Sequence, residues 1–362
     1  MRPEEFLQKA KAITEEVLSK EFMDKLSEAI GIHEYLKELV DYPRDYTLRG
    51  GKRLRAMLIL AGYYSLDPSL PIEPIKHVMA SIEFLQSYFL AHDDIMDRDV
   101  VRRGGPTLHV MYERYCREKG LLGDCIHYGI SQAILAGDYL EALAVGMLAS
   151  APLPPERVVK LVQRYVLGLR TVAYGQYLDV LFAYMKLRDV REEHVLKVHE
   201  LKTASYTVEM PLHLGAIAAG INDPKIYELY TRMAKPAGIA FQLRDDIIGL
   251  YGDPSVTGKP VGSDVKEKKK TLLIIKAYEL ASSDDKKFLE EIYDLKQPEE
   301  ISIDDIERVR AIVKETGSLD YSEEIIKKYY EEALSVLEES KIHDNVKELL
   351  KWLLKKLVYR EK

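Results

Sequence analysis

The chain has 362 residues, 47% apolar and 31% charged, with a formal net charge of −7 at pH 7. That length and apolar content supply a large core, and the acidic balance argues against general nucleic-acid binding. Its two cysteines, Cys116 and Cys125, lack the spacing and partners of a zinc site and are expected to stay reduced in a cytoplasmic protein. The opening MRPEEFLQKAKAITEEVL carries acids throughout and no apolar signal core, and no uninterrupted apolar run reaches membrane-spanning length. Residues 4–40 read as two amphipathic helices, with Leu7, Ala10, Ile13 and Val17 forming one stripe. DYPRDYTLRGGKRLR, 41–55, reads as a loop entering a helix, and Pro68, Pro71 and Pro74 mark the next connection. An apolar helix then runs to about 98. RRGGPT reads as a turn, with Pro106 opening a helix at 107–118. A long apolar helix over 125–149 is ended by Pro152, Pro154 and Pro155. Helices follow at 156–188, 191–219 and 224–251, the last kinked at Pro236. Residues 253–270 form a polar loop, and the remaining helices fall at 271–282, 286–294, 303–316, 322–340 and 343–359. With no alternating β pattern of any length, the prediction is a single all-α domain over 1–362, larger than a four-helix bundle, with roughly ten or more helices.

The chemistry gathers in HDDIMDRDVVRRGGPT, residues 92–107. Asp93 and Asp97 lie one helical turn apart, about 40° from each other around the axis. Two like charges there oppose one another and the helix dipole. A lone acidic helix end is often ordinary solvated surface. QLRDDIIGLYGD, residues 242–253, repeats the pattern with Asp245 and Asp246. Magnesium favours one or two carboxylates together with water and phosphate oxygens. Two acidic helix ends with Arg102 and Arg103 near the first therefore suggest a metal–diphosphate site.

Eight motifs stand in order: GGKRLR (50–55), DDIMD (93–97), RRG (102–104), GD (137–138), GQYLD (175–179), KTASYT (202–207), FQLRDD (241–246) and TGKPVGSD (257–264). Together they resemble the trans-isoprenyl diphosphate synthases, the farnesyl and geranylgeranyl diphosphate synthase family. The resemblance covers about residues 45–275. It implies a helical fold around a deep cavity, usually dimeric, that joins an allylic diphosphate to isopentenyl diphosphate with magnesium. Three ions are implied when substrate is bound, with manganese as a substitute. By resemblance, Asp93, Asp97 and Asp245 hold the metal, and Asp94 and Asp246 act in an outer or water-mediated role. Arg102, Lys202, Lys259 and Lys269 match positions that grip the allylic diphosphate. Gly51, Lys52, Arg55, Gln86 and Arg103 match those around isopentenyl diphosphate. Thr203 and Gln242 match the mild dipoles offered to an allylic cation. Gln176 and Asp179, one turn apart, either support the site or form a structural polar pair.

Three positions depart from the commonest family pattern: Gly249 replaces a third aspartate, Gln86 stands where many relatives carry histidine, and Lys268 replaces a frequent glycine. Tyr88 and Phe89 lie just before the first acids. One helical turn, about 5.4 Å, is comparable to an isoprene unit, so these rings are expected to stop a growing tail at fifteen carbons, with twenty as second choice. The competing readings are a non-catalytic subunit of a heteromeric synthase, suggested by Gly249, and a terpene cyclase, which has no use for Lys52, Arg55 and Arg103. A membrane-surface module is disfavoured by the acidic charge and the lack of a strongly basic amphipathic helix.

Overall fold

The structure, a computed structural model, describes residues 2–252 and 262–359. It is all-α as expected: its described strands are the two-residue pair β1 (Val101–Arg102) and β2 (Gly105–Pro106). The chain divides into two compact units, one of Met1–Tyr165 with Pro211–Asn222, the other of Val166–Met210 with Asp223–Lys362.

The first unit holds α1 (Pro3–Ile32), α2 (Lys37–Leu48), α3 (Leu54–Tyr63), α4 (Lys76–Met96), α5 (Leu108–Glu118) and α6 (Cys125–Ala149), together with the start of α7 (Pro155–Tyr184). Helix α4 is buried on every side from Val78 to Ser87, where Ser81, Glu83, Gln86 and Ser87 are the polar residues among apolar ones, and only its last turns open. The buried stripe of α1 is Ala10, Thr14, Leu18 and Phe22; it shares Ala10 with the expected stripe and is otherwise shifted by one residue. Residues 41–48, expected as loop, are helical. Pro43 removes one backbone donor from α2, but Val40, Pro43, Tyr46 and Thr47 bury one face and carry the helix past it. Segment 211–222 joins this unit by a close crossing. A Cβ on Gly62 would lie 2.3 Å from the Leu212 carbonyl oxygen, and one on Gly215 would lie 2.0 Å from that of Ile59.

The cysteines are not free. Cys116 in α5 and Cys125, the first residue of α6, form a disulfide with Cα atoms 5.5 Å apart. The short connection turns α5 back onto α6 and brings the two thiols within bonding reach. Closing a loop over a sequence separation of 9 constrains the unfolded chain by about 2.5 kcal/mol. Reduction with dithiothreitol is therefore expected to lower the melting temperature, whereas an unchanged melt would show that the bond adds nothing. Helix α6 is also the one described helix long and apolar enough to cross a membrane by length and composition, although 44% of that window is buried inside the protein.

The second unit is built on α10 (Pro224–Tyr251), which packs against a π-helical stretch, His199–Glu209, and against α15 (Ser318–Glu338). The π stretch continues α8 (Glu192–Val198) and leads into α9 (Met210–Ala219). The other helices are α11 (Ser263–Lys266), α12 (Leu272–Leu280), α13 (Ser283–Glu290), α14 (Ile303–Glu315) and α16 (Asp344–Val358). Its core gathers Leu243, Ile247, Leu250, Leu273, Ile292, Val309 and Ile326.

Candidate active site

Helix α4 ends at Met96 with Asp97 as C-cap, whose N–H donates to the Asp93 carbonyl at 2.8 Å. Asp93 and Asp97 thus flank the last turn and are half-buried, while Asp94 between them is completely buried. Asp94 Oδ2 accepts from the Tyr46 hydroxyl at 2.5 Å, and Oδ1 accepts from Arg102 Nε at 2.8 Å and from Arg102 Nη2. Arg102 Nη2 also reaches Asp99 Oδ2 at 2.9 Å and stands 3.9 Å from Asp93 Oδ2. Burial pushes the Asp94 carboxyl up to about 6 against the pull of Arg102. Burial also works against the guanidinium, yet the Asp94 charge holds it firmly protonated. Both oxygens of Asp94 are committed to Tyr46 and Arg102, so within the fold it holds Arg102 in place.

RRGG is a hairpin. Arg103 (φ 53°) and Gly104 (φ 73°) form a two-residue turn between β1 and β2, in the left-handed conformation such turns favour. Pro106 therefore belongs to β2 rather than opening a helix, and Thr107 is the N-cap of α5. Arg49 fixes the hairpin by donating from Nη1 to the Pro106 carbonyl at 2.8 Å. Gly51 (φ 98°) does permit close approach, and the group that approaches is Arg103, whose guanidinium lies 3.4 Å from where a Cβ would stand. In GGKRLR, Lys52 is exposed and Arg55 half-buried. Arg53 is turned inward with φ 51°, paired to buried Glu83 at 3.1 Å and donating to the Thr47 carbonyl at 2.8 Å. Burial and the nearby Arg53 both lower the Arg103 pKa. Cations crowded this way call for an anion. Gln86 is buried one turn from Phe89.

Tyr88 and Phe89 lie tilted against one another, 5.3 Å between centroids, and Tyr88 meets His92 edge-on at 4.7 Å. Across on α6, Glu141 accepts a hydrogen bond from the fully buried Tyr165, and burial pushes its carboxyl up to about 6. Tyr88 feels both Glu141 and Asp138. The aromatic pair therefore stands beside a buried polar pair that sequence reading did not single out.

In the second unit, Lys202 and Thr203 lie in the π-helical stretch, a backbone form frequent at functional sites. Lys202 Nζ pairs with Asp179 at 2.7 Å. Thr203 Oγ1 donates to Gln242 Oε1 at 2.8 Å, and Gln242 Nε2 donates to Asp246 Oδ1 at 3.1 Å. His199, also missed in the sequence, stands with Nε2 3.3 Å from Asp246 Oδ2. These side chains, with Lys269, Lys270 and Thr271, line a pocket of about 90 Å³. Lys269 pairs with Glu267 at 2.8 Å. Lys270 is buried, donates to the Ala183 carbonyl at 2.8 Å, and is pulled down to about 8 by desolvation.

Asp245 and Asp246 sit inside α10, more than a turn before its end at Tyr251, and not at a helix terminus as expected. Arg244 beside them binds Glu323 on α15 at 2.6 Å and the Val358 carbonyl at the end of α16 at 2.8 Å. At Gly249 a Cβ would lie 2.1 Å from Asp264 Oδ2, so that carboxylate occupies the space a third aspartate would need. Lys259 lies outside the described residues.

Among the described residues, no three His, Cys, Asp or Glu side chains gather closely enough to hold an ion alone. Asp93 and Asp97 in the first unit, and Asp245 in the second, each offer carboxylate oxygens, the donor type that suits a hard cation completing its shell with water and phosphate oxygens.

The family model for polyprenyl synthetase matches residues 37–313. A geranylfarnesyl diphosphate synthase of Aeropyrum pernix is 37% identical over 86% of this chain and 91% of its own length. A geranylgeranyl diphosphate synthase of Sulfolobus acidocaldarius is 34% identical over 86% of this chain and 88% of its own. The crystal structure of a Corynebacterium glutamicum geranylgeranyl pyrophosphate synthase, complexed with isoprenyl diphosphate and magnesium, is 31% identical. It superposes with a TM-score of 0.91 over 99% of this chain and 100% of that one. With its motif order, helical architecture and sequence similarity in agreement, the chain belongs to the polyprenyl synthetase family and is a prenyltransferase.

Proposed function

We propose that the protein condenses isopentenyl diphosphate head-to-tail with dimethylallyl, geranyl and farnesyl diphosphates, giving a short-chain product of fifteen to twenty carbons. The observation that carries this reading is the sorting of acids within DDIMD. Asp94 is completely buried and spent on Tyr46 and Arg102, while Asp93 and Asp97 stand half-buried at the open end of α4, where their negative charge opposes the helix dipole. Magnesium, held by Asp93, Asp97 and Asp245, would neutralise charge on the diphosphate that leaves the allylic carbon.

The chain's own residues do the rest. Arg102, Lys202, Lys259 and Lys269 bind the allylic diphosphate; Lys202 exchanges its Asp179 partner for phosphate oxygen as it does so. Lys52, Arg55 and Arg103, with Gln86, bind and orient isopentenyl diphosphate. The allylic C1–O bond breaks, C1 bonds to C4 of isopentenyl diphosphate, and the C2 proton leaves to a diphosphate oxygen. Thr203 and Gln242 present oxygen dipoles to the transient cation without a nucleophile strong enough to trap it. Both units act as one catalytic domain in this reading, and a second copy of the chain is the partner for Ile126, Ile134 and Leu135, which α6 leaves exposed.

Incubation with labelled isopentenyl diphosphate, each allylic primer and magnesium tests the reading; no condensation with any primer ends it. The ring pair favours a stop at fifteen carbons, while the relatives' names, geranylgeranyl and geranylfarnesyl, speak for longer products of those enzymes. Replacing Tyr88 and Phe89 together by alanine is expected to lengthen the product by at least one isoprene unit. An unchanged chain length would remove the pair from this role.

A further inference from the structure

We infer that His199 is a positioning residue that, through Asp246, fixes the orientation of the Gln242 carbonyl. The two ends of a glutamine amide have nearly the same shape, so its neighbours decide which way it points. A carboxylate can only accept, and Asp246 Oδ1, 3.1 Å from Gln242 Nε2, therefore claims the NH2 end. That leaves Gln242 Oε1 toward Thr203, whose hydroxyl donates to it at 2.8 Å. The chain of bonds needs Asp246 itself held, and its second oxygen is buried and takes no hydrogen bond. The imidazole of His199, 3.3 Å away and equally buried, is the group that holds it.

A structural role alone explains this poorly. His199 Nδ1 is also buried without a hydrogen-bond partner, so the pair carries two under-satisfied atoms into the pocket wall beside Lys202 and Thr203. Apolar residues here would pack at less cost. Long contacts of this kind tighten when a ligand enters. The occupant of the pocket is the allylic diphosphate end, so the inference rests on the proposed function.

The test compares His199→Leu with His199→Gln, whose amide nitrogen replaces Nε2. In the leucine variant kcat is expected to fall about 10- to 100-fold, with KM for isopentenyl diphosphate unchanged. Calorimetric affinity for inorganic pyrophosphate with magnesium should fall with it. The glutamine variant should recover most of both. Wild-type kcat and pyrophosphate affinity in the leucine variant, or a glutamine variant as poor as leucine, would overturn the assignment. Should the leucine variant fail to fold, His199→Asn replaces it; asparagine places its amide at Nδ1 rather than Nε2, and activity equal to that of the glutamine variant counts against the inference. If the wild-type protein condenses nothing, the proposed function fails, and the pyrophosphate arm still decides the role of His199.

Discussion

Asp93→Ala and Asp97→Ala are each expected to lower the condensation rate about 10³-fold while leaving the melting temperature unchanged or slightly raised. The two halves of that expectation come from different physics. As charges, the acids are misplaced. They lie one turn apart where α4 ends, and its unpaired carbonyls already present negative charge. Removing one relieves repulsion worth a few tenths of a kcal/mol, and neither side chain belongs to the buried core. As the proposed ligands, they would set the positive charge that stabilises a leaving diphosphate, and Asp94 could not take that part because it is committed to Tyr46 and Arg102. Steady-state condensation and thermal melts of the same preparations separate the two effects. A variant that keeps its rate, or one that loses stability in step with activity, would make these acids structural.

Much of this was legible in the sequence because the signals were periodic or chemically costly. Helices α6 and α10 have the predicted spans to within a residue, since long apolar runs bounded by proline or capped by aspartate admit few alternatives. The acids of DDIMD drew notice by being badly placed for stability. What the sequence hid is which member of a run turns inward. KRLR shows three cations and no sign that Arg53 is the buried one, because that depends on Glu83 arriving from α4, thirty residues away. DD in the first motif likewise does not say that Asp94 faces the core. His199 looked like any helical histidine, and only the packing of α10 on the π-helical stretch brings Asp246 to it. The disulfide was misread because compartment was inferred from the low cysteine count, whereas pairing is decided by the distance between two helix ends.

Arg102→Leu is expected to destabilise the first unit by about 3–5 kcal/mol at pH 8 and by much less at pH 5. The arginine leaves behind Asp94, completely buried, with Asp99 beside it and Tyr46 as its remaining donor. An uncompensated buried carboxylate is costly, and its escape is to take up a proton. Asp94 already leans that way, since burial lifts its pKa from 3.8 to about 6 even with Arg102 present. The sign follows. A carboxyl whose folded pKa lies above its unfolded value binds its proton more tightly in the fold, so stability falls as pH rises between the two values and levels off above the higher one. In the wild type that window runs from about 4 to 6. Without Arg102 the upper edge moves toward and beyond neutrality, and the variant keeps losing stability where the wild type has levelled off. Denaturant unfolding at both pH values, followed by a probe in the first unit, reads this directly. An equal loss at pH 5 and pH 8 would mean that Arg102 matters through packing and that Asp94 never carried the charge. Asp94→Asn in the Arg102→Leu background sharpens the result: it removes the stranded charge, keeps the volume, and should restore most of the stability lost at pH 8 without restoring the diphosphate grip proposed for Arg102.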